Sequence, residues 1–233
     1  MLVIGAHSAD FVWRAAGAIA RHTGAGGEAR VVALSYGERG ESGELWKQPG
    51  QTVENVKRVR HAEAGAAATE LGAGFECLDL GDYPLEPDRA AVEWLAGLIR
   101  EFAPQVVLTH PERDPFNPDH PAAHAAVLRA RLLATGGVVA AAFQTIPPPR
   151  LYAFEPHQPE LSGFLPTTYL DITEVFPAKL RAMRAMAAQN YLQEYYAQRA
   201  EQRGNHARKV TGEAAIRHAE AFQQLLPRVV SEL

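Results

Sequence analysis

The chain has 233 residues, 47% of them hydrophobic and 21% charged, and its formal net charge is −4. This length and composition fit one globular domain with a full core, and the acidic balance disfavours a nucleic-acid-binding surface. Cys77 is the single cysteine, so no internal disulfide can form. The apolar stretch at the N-terminus is too short for a signal peptide, and no run is long enough to span a bilayer. We therefore expect a cytoplasmic protein without a membrane partner.

Strands and helices alternate through the first part of the chain. A strand is predicted from Leu2 to just before His7, and three more strands and four helices follow. The other strands are Ala29–Ser35, Phe75–Leu80 and Gln105–Thr109, and the helices are Trp13–His22, Val53–Leu71, Arg89–Phe102 and Pro121–Leu133. Strand, loop and helix repeated four times predict an α/β fold: a mostly parallel sheet with helices on both faces.

The remaining chain is predicted to complete this one domain, residues 1–233, whose core covers about residues 1–135. Residues 136–233 should supply further strands and helices that complete the site. The predicted strands are Val138–Phe143, Leu151–Phe154 and Thr168–Ile172, and the predicted helices are Ala178–Arg203 and, after a break at Gly204, a segment through Leu226.

Each predicted parallel strand ends in a polar loop. His7 and Asp10 follow the first strand, Glu38 and Glu41 the second, Asp82 the third, and residues 110–124 the fourth. The carboxyl ends of parallel strands lie at one edge of the sheet, so these residues should share one crevice.

Histidine and aspartate at this edge indicate a metal site. Imidazole and carboxylate are ordinary zinc ligands, so His7 and Asp10 need at least one more ligand. His120 and His124, spaced i, i+4 on one helical face, are the candidates. The alternative is a solvated helix start that Asp119 caps. A His/Asp/His site with an open position would suit zinc, and also iron or cobalt.

Five motifs occur in an order that resembles a known family. They are Ala6-His-Ser-Ala-Asp10, Gly37-Glu-Arg-Gly-Glu41, Arg60 with Glu63, Asp114 with Asp119-His120 and His124, and Ala219-Glu-Ala-Phe222. Together they resemble the LmbE/PIG-L family of zinc-dependent N-acetylglucosamine deacetylases. The resemblance covers most of the chain and implies a Rossmann-like fold, zinc held by His7, Asp10 and His124, and a homo-oligomer.

The general-base position departs from the family pattern. The family motif reads Ala-His-Pro-Asp-Asp, in which the first aspartate is the general base, and Ala9 occupies that position here. Alanine cannot take a proton from water, so ordinary deacetylation is disfavoured. A deacetylase that uses Glu41 instead stays the alternative, and a catalytically silent metal- or ligand-binding module is a third reading.

A longer combination of motifs resembles one subgroup of the family. It consists of His7-Ser-Ala-Asp-Phe-Val-Trp-Arg14, Gly37-Glu-Arg-Gly-Glu-Ser42, Gly81-Asp-Tyr-Pro84 and Tyr152-Ala-Phe-Glu-Pro-His-Gln-Pro-Glu160. The subgroup is the 4-oxalomesaconate hydratases of gallate and protocatechuate breakdown. The resemblance implies a metal-dependent enzyme that converts 4-oxalomesaconate and water to 4-carboxy-4-hydroxy-2-oxoadipate.

The resemblance also suggests catalytic roles. Glu41 is predicted to orient and deprotonate the attacking water, with Glu38 and Glu44 as competitors. His157 is predicted to donate the proton, because it lies in a proline-bracketed loop and histidine titrates near neutral pH. His120 is predicted to take part in catalysis, either by binding a substrate carboxylate or by orienting the metal ligands. His110 is an equal candidate for orienting the metal ligands.

The implied substrate carries three carboxylates, which arginine pairs with well. Arg39, in the glutamate loop, is predicted to bind this small tricarboxylate. Arg60 matches a family position that contacts substrate or braces the loops. Arg14, Arg113 and Lys47 are weaker candidates.

Overall fold

The computed structural model describes residues 1–136 and 144–232, so the predicted strand Val138–Phe143 lies outside the described residues. The strands are β1 (Leu2–His7), β2 (Arg30–Ser35), β3 (Gly74–Cys77), β4 (Val106–Thr109), β5 (Arg150–Phe154), β6 (Thr168–Asp171) and β7 (Ala219–Gln224). The helices are α1 (Asp10–Gly24), α2 (Gly43–Trp46), α3 (Val53–Glu70), α4 (Arg89–Phe102), α5 (Asp119–Thr135), α6 (Pro159–Ser162), α7 (Phe176–Ala185) and α8 (Gln193–Thr211). A 3-10 segment, Ala187–Leu192, connects α7 to α8.

The described strands form one seven-stranded sheet with the order β3-β2-β1-β4-β5-β7-β6. β1 to β5 pair in parallel, and β7 runs antiparallel to both β5 and β6. The mostly parallel sheet is therefore confirmed. Because β1 pairs with β2 on one side and β4 on the other, the order in which strands are added to the sheet reverses at β1, which is where α/β folds open a crevice.

The core lies on both faces of this sheet. Alternate side chains of β1 point to opposite faces: Val3 packs with residues of α1 and α3, whereas Leu2 and Ile4 pack with residues of α4 and α5. All six residues of β1 are buried, as expected for a strand covered on both faces. Helices on both faces are confirmed. No helix in the two described ranges is long and apolar enough to cross a bilayer.

The prediction for the C-terminal part was partly wrong. α8 continues through Gly204, and the segment predicted as a helix through Leu226 contains β7. A Cβ atom at Gly204 would lie 2.1 Å from the carbonyl oxygen of Arg217. Glycine here permits close backbone approach within a helix and does not end it. The predicted helix Ala178–Arg203 is likewise divided into α7, the 3-10 segment and the first part of α8.

Candidate metal centre and active site

Three buried side chains converge at the carboxyl end of β1. His7 ends β1, Asp10 begins α1, and His120 lies in the first turn of α5. One ligand atom from each lies within 4.8 Å of the others. The prediction that loops at the strand ends share one crevice therefore holds for this group.

Carboxylates orient the two imidazoles of this group. His7 Nε2 lies 3.0 Å from Asp119 Oδ2, and His120 Nδ1 lies 2.8 Å from Asp114 Oδ2. The other ring nitrogens, His7 Nδ1 and His120 Nε2, are buried and have no hydrogen-bond partner among the described residues. Unpaired buried nitrogens are unfavourable, whereas a histidine held by a carboxylate is the usual arrangement of a metal ligand. The residues therefore fit a divalent metal.

Asp10 completes the group. Its Oδ2 accepts from the His7 backbone N–H at 2.7 Å and lies 2.9 Å from His110 Nε2, and its Oδ1 accepts from Arg14 Nη1 at 2.5 Å. Burial alone would raise the pKa of Asp10, but His110 and Arg14 hold that pKa well below its ordinary value. Glycine at position 5 makes room for this side chain, since a Cβ there would lie 2.9 Å from the Asp10 Cβ.

A pocket of about 240 Å³ opens over this group. Its walls come from the carboxyl end of β1, the helices α1, α5 and α8, the loops that follow β2, β3, β4 and β5, and the 3-10 segment. The lining residues are His7, Ala9, Asp10, Trp13, Arg14, Glu41, Tyr83, Asp114, Phe116, Asn117, His120, His157, Gln189, Tyr191, Leu192 and Tyr196. Arg14 is the only lysine or arginine in this lining.

Three donors hold the Glu41 carboxylate in the pocket wall. Its Oε1 accepts from Tyr83 OH at 3.1 Å and from Asn117 Nδ2 at 2.9 Å, and its Oε2 accepts from Gln189 Nε2 at 2.9 Å. Burial and the adjacent Glu41 charge raise the pKa of Tyr83, so the phenol stays a donor. The carboxylate is thus fixed in orientation by groups from three separate loops.

The two competing glutamates of the same loop lie elsewhere. Glu38 is buried outside the pocket, 3.8 Å from Lys57 Nζ, and burial raises its pKa. Glu44 is exposed and pairs with Lys47 at 2.5 Å. Of the three glutamates, only Glu41 lines the pocket.

His157 also lines the pocket. Its ring stacks on Tyr195 at 4.3 Å between centroids, and its Nδ1 lies 3.4 Å from Tyr196 OH. Tyr195 OH donates to the backbone carbonyl of His157. Burial, followed by the positive charges of Arg14 and Arg199, lowers the pKa of His157. The imidazole is therefore positioned at the pocket by aromatic packing.

The structure does not place His124, the predicted third ligand, with the metal-ligand group, and it brings His120 there instead. His124 Nδ1 lies 2.8 Å from the His110 carbonyl oxygen, and its side chain lines a separate apolar groove with Leu128 and Leu132. The two histidines share a helical face, but four residues separate them by about 6 Å along the helix axis. Only the first turn of α5 reaches the crevice.

Neither predicted substrate-binding arginine lines the pocket. The Arg39 side chain is exposed, and its backbone N–H donates to Asp82. Arg60 is fully buried, and its guanidinium donates to Glu63 at 3.0 Å and Gln189 at 2.8 Å. Of the two predicted roles of Arg60, bracing the loops fits this buried position.

The pocket contains several residues that the sequence predicts only weakly or not at all. Arg14 was only a weak candidate, although its i, i+4 spacing from Asp10 was a usable signal. Asn117, Gln189 and Tyr83 were not assigned. Tyr83 had a signal in the Gly81-Asp-Tyr-Pro84 motif, whereas nothing in the sequence around Gln189 predicts its contact with Glu41.

Comparison with known proteins agrees with the fold and shows the family. Residues 2–131 match the family model PIG-L, described as GlcNAc-PI de-N-acetylase. The chain is 45% identical to the 4-oxalmesaconate hydratase of Pseudomonas putida KT2440 over 100% of this chain and 91% of that protein. The crystal structure of GalB, the 4-carboxy-2-hydroxymuconate hydratase from P. putida KT2440, superposes with a TM-score of 0.96 and covers 100% of this chain and 98% of that one.

A more distant relative shares only part of the chain. The mycothiol S-conjugate amidase of Streptomyces coelicolor is 32% identical over 53% of this chain and 48% of that protein. The full-length match and the family model together lead to one conclusion: the chain belongs to the PIG-L family.

Proposed function

We propose that this chain is a metal-dependent hydratase that adds water to 4-oxalomesaconate, giving 4-carboxy-4-hydroxy-2-oxoadipate in gallate and protocatechuate breakdown in the cytoplasm. The observation that carries the proposal is the similarity over the whole chain to a 4-oxalmesaconate hydratase, at 45% identity. The pocket agrees with it, because Ala9 lines the wall and provides no carboxylate of the kind that a deacetylase uses.

His7, Asp10 and His120 would hold the metal, for which zinc is our first choice and iron(II) or cobalt(II) the alternatives. A bound divalent ion supplies an acidified water and a Lewis acid that polarises a substrate oxygen. Asp119 and Asp114 hold the other nitrogen of each ring, so His7 Nδ1 and His120 Nε2 would be the ligand atoms.

Glu41 is the base in this proposal. Oε1 already accepts two hydrogen bonds, whereas Oε2 accepts one, from Gln189. Each carboxylate oxygen has two lone pairs, so Oε2 keeps one that can take the proton of the attacking water. The three donors fix this oxygen before substrate arrives, which lowers the entropic cost of the proton transfer.

His157 delivers the second proton. As the water oxygen bonds to one alkene carbon, the π electron pair moves to the neighbouring carbon, which takes a proton from the protonated imidazole. The proton held by Glu41 then returns to His157 through solvent, so the enzyme is restored and one water has been added. Glu41 and His157 line the same pocket, which supports their roles as base and acid in one reaction.

Arg14 is proposed to bind a substrate carboxylate. It is the only lysine or arginine in the pocket lining, and its Nε is buried without a hydrogen-bond partner among the described residues. Its Nη1 is already bound to Asp10, so a substrate carboxylate on Nε would be fixed relative to the metal-ligand group.

The proposal is tested by following the ultraviolet absorbance of 4-oxalomesaconate with purified protein, before and after zinc is removed and restored. We expect metal-dependent loss of absorbance, because hydration removes the conjugated double bond. Glu41→Gln is the matched control, and loss of the base should slow turnover about 100-fold or more. No absorbance loss with metal bound, together with acetate release from an N-acetylglucosamine derivative, would favour the deacetylase alternative. Bound metal without either activity would favour a silent binding module.

A further inference from the structure

Gln189 links the pocket to a buried polar network. It is 1% exposed and lies in the 3-10 segment, where its backbone angles of φ −130° and ψ 32° interrupt the helical turn. Its Oε1 accepts from Arg60 Nη2 at 2.8 Å and from Trp13 Nε1 at 3.4 Å. Its Nε2 donates to Glu41 Oε2 at 2.9 Å.

The orientation of the Gln189 amide follows from the chemistry of its neighbours. Guanidinium and indole N–H groups can only donate, and an ionised carboxylate can only accept. A flipped amide would place its NH₂ against Arg60 and Trp13, and its oxygen against Glu41. The observed orientation is therefore the one that satisfies every partner.

Glu63 stabilises the positions of both Arg60 and the backbone beside Gln189. Its Oε2 accepts from Arg60 Nη1 at 3.0 Å, and its Oε1 accepts from the backbone N–H of Ala188 at 2.8 Å. One carboxylate on α3 therefore holds both the arginine that orients the Gln189 amide and the backbone next to Gln189. Glu41, Gln189 and Trp13 line the pocket, whereas Arg60 and Glu63 do not.

We propose that Gln189 is a positioning residue for the hydration reaction, because its amide, locked by Arg60, holds Glu41 with the free lone pair of Oε2 toward the attacking water. This inference rests on the proposed function. Without the amide, the Glu41 carboxylate keeps only its two bonds to Oε1 and can rotate, so the proton acceptor loses its alignment. Substrate binding depends on Arg14 and does not involve this contact, so the loss should appear in kcat and not in KM.

The test is a double-mutant cycle of Gln189→Met and Glu41→Gln, assayed by 4-oxalomesaconate hydration. Methionine keeps the length of glutamine and removes its donor. We expect Gln189→Met to lower kcat about 10- to 100-fold, the value of a lost hydrogen bond to a charged group, with KM changed less than about twofold. In the Glu41→Gln background the same substitution should cause almost no further loss, because Gln189 acts through Glu41.

Two controls separate positioning from folding. Gln193→Met, whose amide donates to the Met183 carbonyl away from the pocket, should leave kcat unchanged. Binding of tricarballylate, a saturated tricarboxylate, should be the same in wild type and in Gln189→Met. Gln189→Glu is a second variant: its carboxyl can donate to Glu41 only when protonated, so its kcat relative to wild type should recover as the pH is lowered.

An unchanged kcat in Gln189→Met, or equal losses in both backgrounds, would overturn this inference and leave the proposed function intact. A wild-type kcat in Glu41→Gln would overturn the base role of Glu41 and this inference with it. No hydration by the wild type would overturn the proposed function itself.

Discussion

Ala9 contributes a single buried methyl group to the wall of the pocket, immediately before the metal-ligand candidate Asp10. An acidic side chain at this point would lie among carboxylates, since Asp10, Asp114 and Glu41 already line the same pocket. Arg14 is the only lysine or arginine among the lining residues. Because Ala9 is small and uncharged, Arg14 and the space around it stay available to an anionic substrate.

Ala9→Asp tests this reading. We expect kcat/KM for hydration to fall about tenfold or more, because the added charge repels the substrate and competes for Arg14. Initial rates from the loss of substrate absorbance measure the effect. Ala9→Asn, of nearly the same size and uncharged, should lose less. Undiminished hydration by Ala9→Asp, or the appearance of efficient deacetylation, would contradict the assignment.

His157 makes a prediction about pH. Burial and the charges of Arg14 and Arg199 lower its pKa from 6.5, although Asp114 and Glu41 act in the opposite direction. If the protonated imidazole is the acid, kcat/KM should fall as the pH rises through this lowered pKa. The descending limb of the pH profile should therefore lie below pH 6.5. His157→Gln should remove that limb from the pH profile of kcat/KM. A profile with the same limb in the variant would exclude His157 as the acid.

At the scale of elements, α5 determines which histidine reaches the metal site. The helix begins at Asp119, whose carboxylate accepts from the backbone N–H groups of Tyr83 and Leu85. This contact fixes the first turn of α5 at the crevice and directs His120 toward Asp10. His124, one turn later, lies against the loop backbone at His110.

The metal content of two alanine variants should therefore differ. His120→Ala is expected to lose most of its bound metal, whereas His124→Ala should retain wild-type stoichiometry, because only His120 directs a free ring nitrogen at Asp10. Elemental analysis after dialysis against a fixed zinc concentration measures this directly. The reverse result would restore the original assignment of His124.

Local pattern predicted much of this site, and its failures have physical causes. His7, Asp10, Glu41 and His157 were predicted to share a site, and the structure places all four in one pocket because each follows a strand end. The periodicity of α5 showed that two histidines share a face, but it carries no information on which turn lies at the crevice. The short segment Ala219–Gln224 was read as a helix because its strand character comes from pairing on both edges with β5 and β6.

At the scale of the whole molecule, one buried ion pair connects distant parts of the chain. Lys179 Nζ, on α7, donates to Glu220 Oε1, on β7, at 2.6 Å and to the Trp13 carbonyl at 2.9 Å. The Glu220 carboxylate also accepts from the backbone N–H groups of Gly17 and Ala18, both at 2.8 Å. Both members of the pair therefore form hydrogen bonds with the backbone of α1, the helix that carries Asp10 and Arg14.

Lys179→Met should lower the free energy of unfolding by about 3–5 kcal/mol, because it leaves Glu220 buried without its counter-charge. Urea unfolding followed by circular dichroism measures this loss. Lys209→Met, at an exposed position on α8, is the control and should change stability by less than about 0.5 kcal/mol. Adding Glu220→Gln to Lys179→Met should recover part of the loss, and a single variant as stable as wild type would show that the pair contributes little.

The position of β7 in the sheet has a consequence for how the protein is made. A ribosome releases β5 and β6 well before β7, yet β7 lies between them, and β6 has β7 as its sheet neighbour. The nascent chain must therefore keep an unpaired β6 available until residues 219–224 emerge. The candidate ligands His7, Asp10 and His120 all emerge much earlier, so during synthesis they are present while the helix that carries Asp10 still lacks its bonds to Glu220.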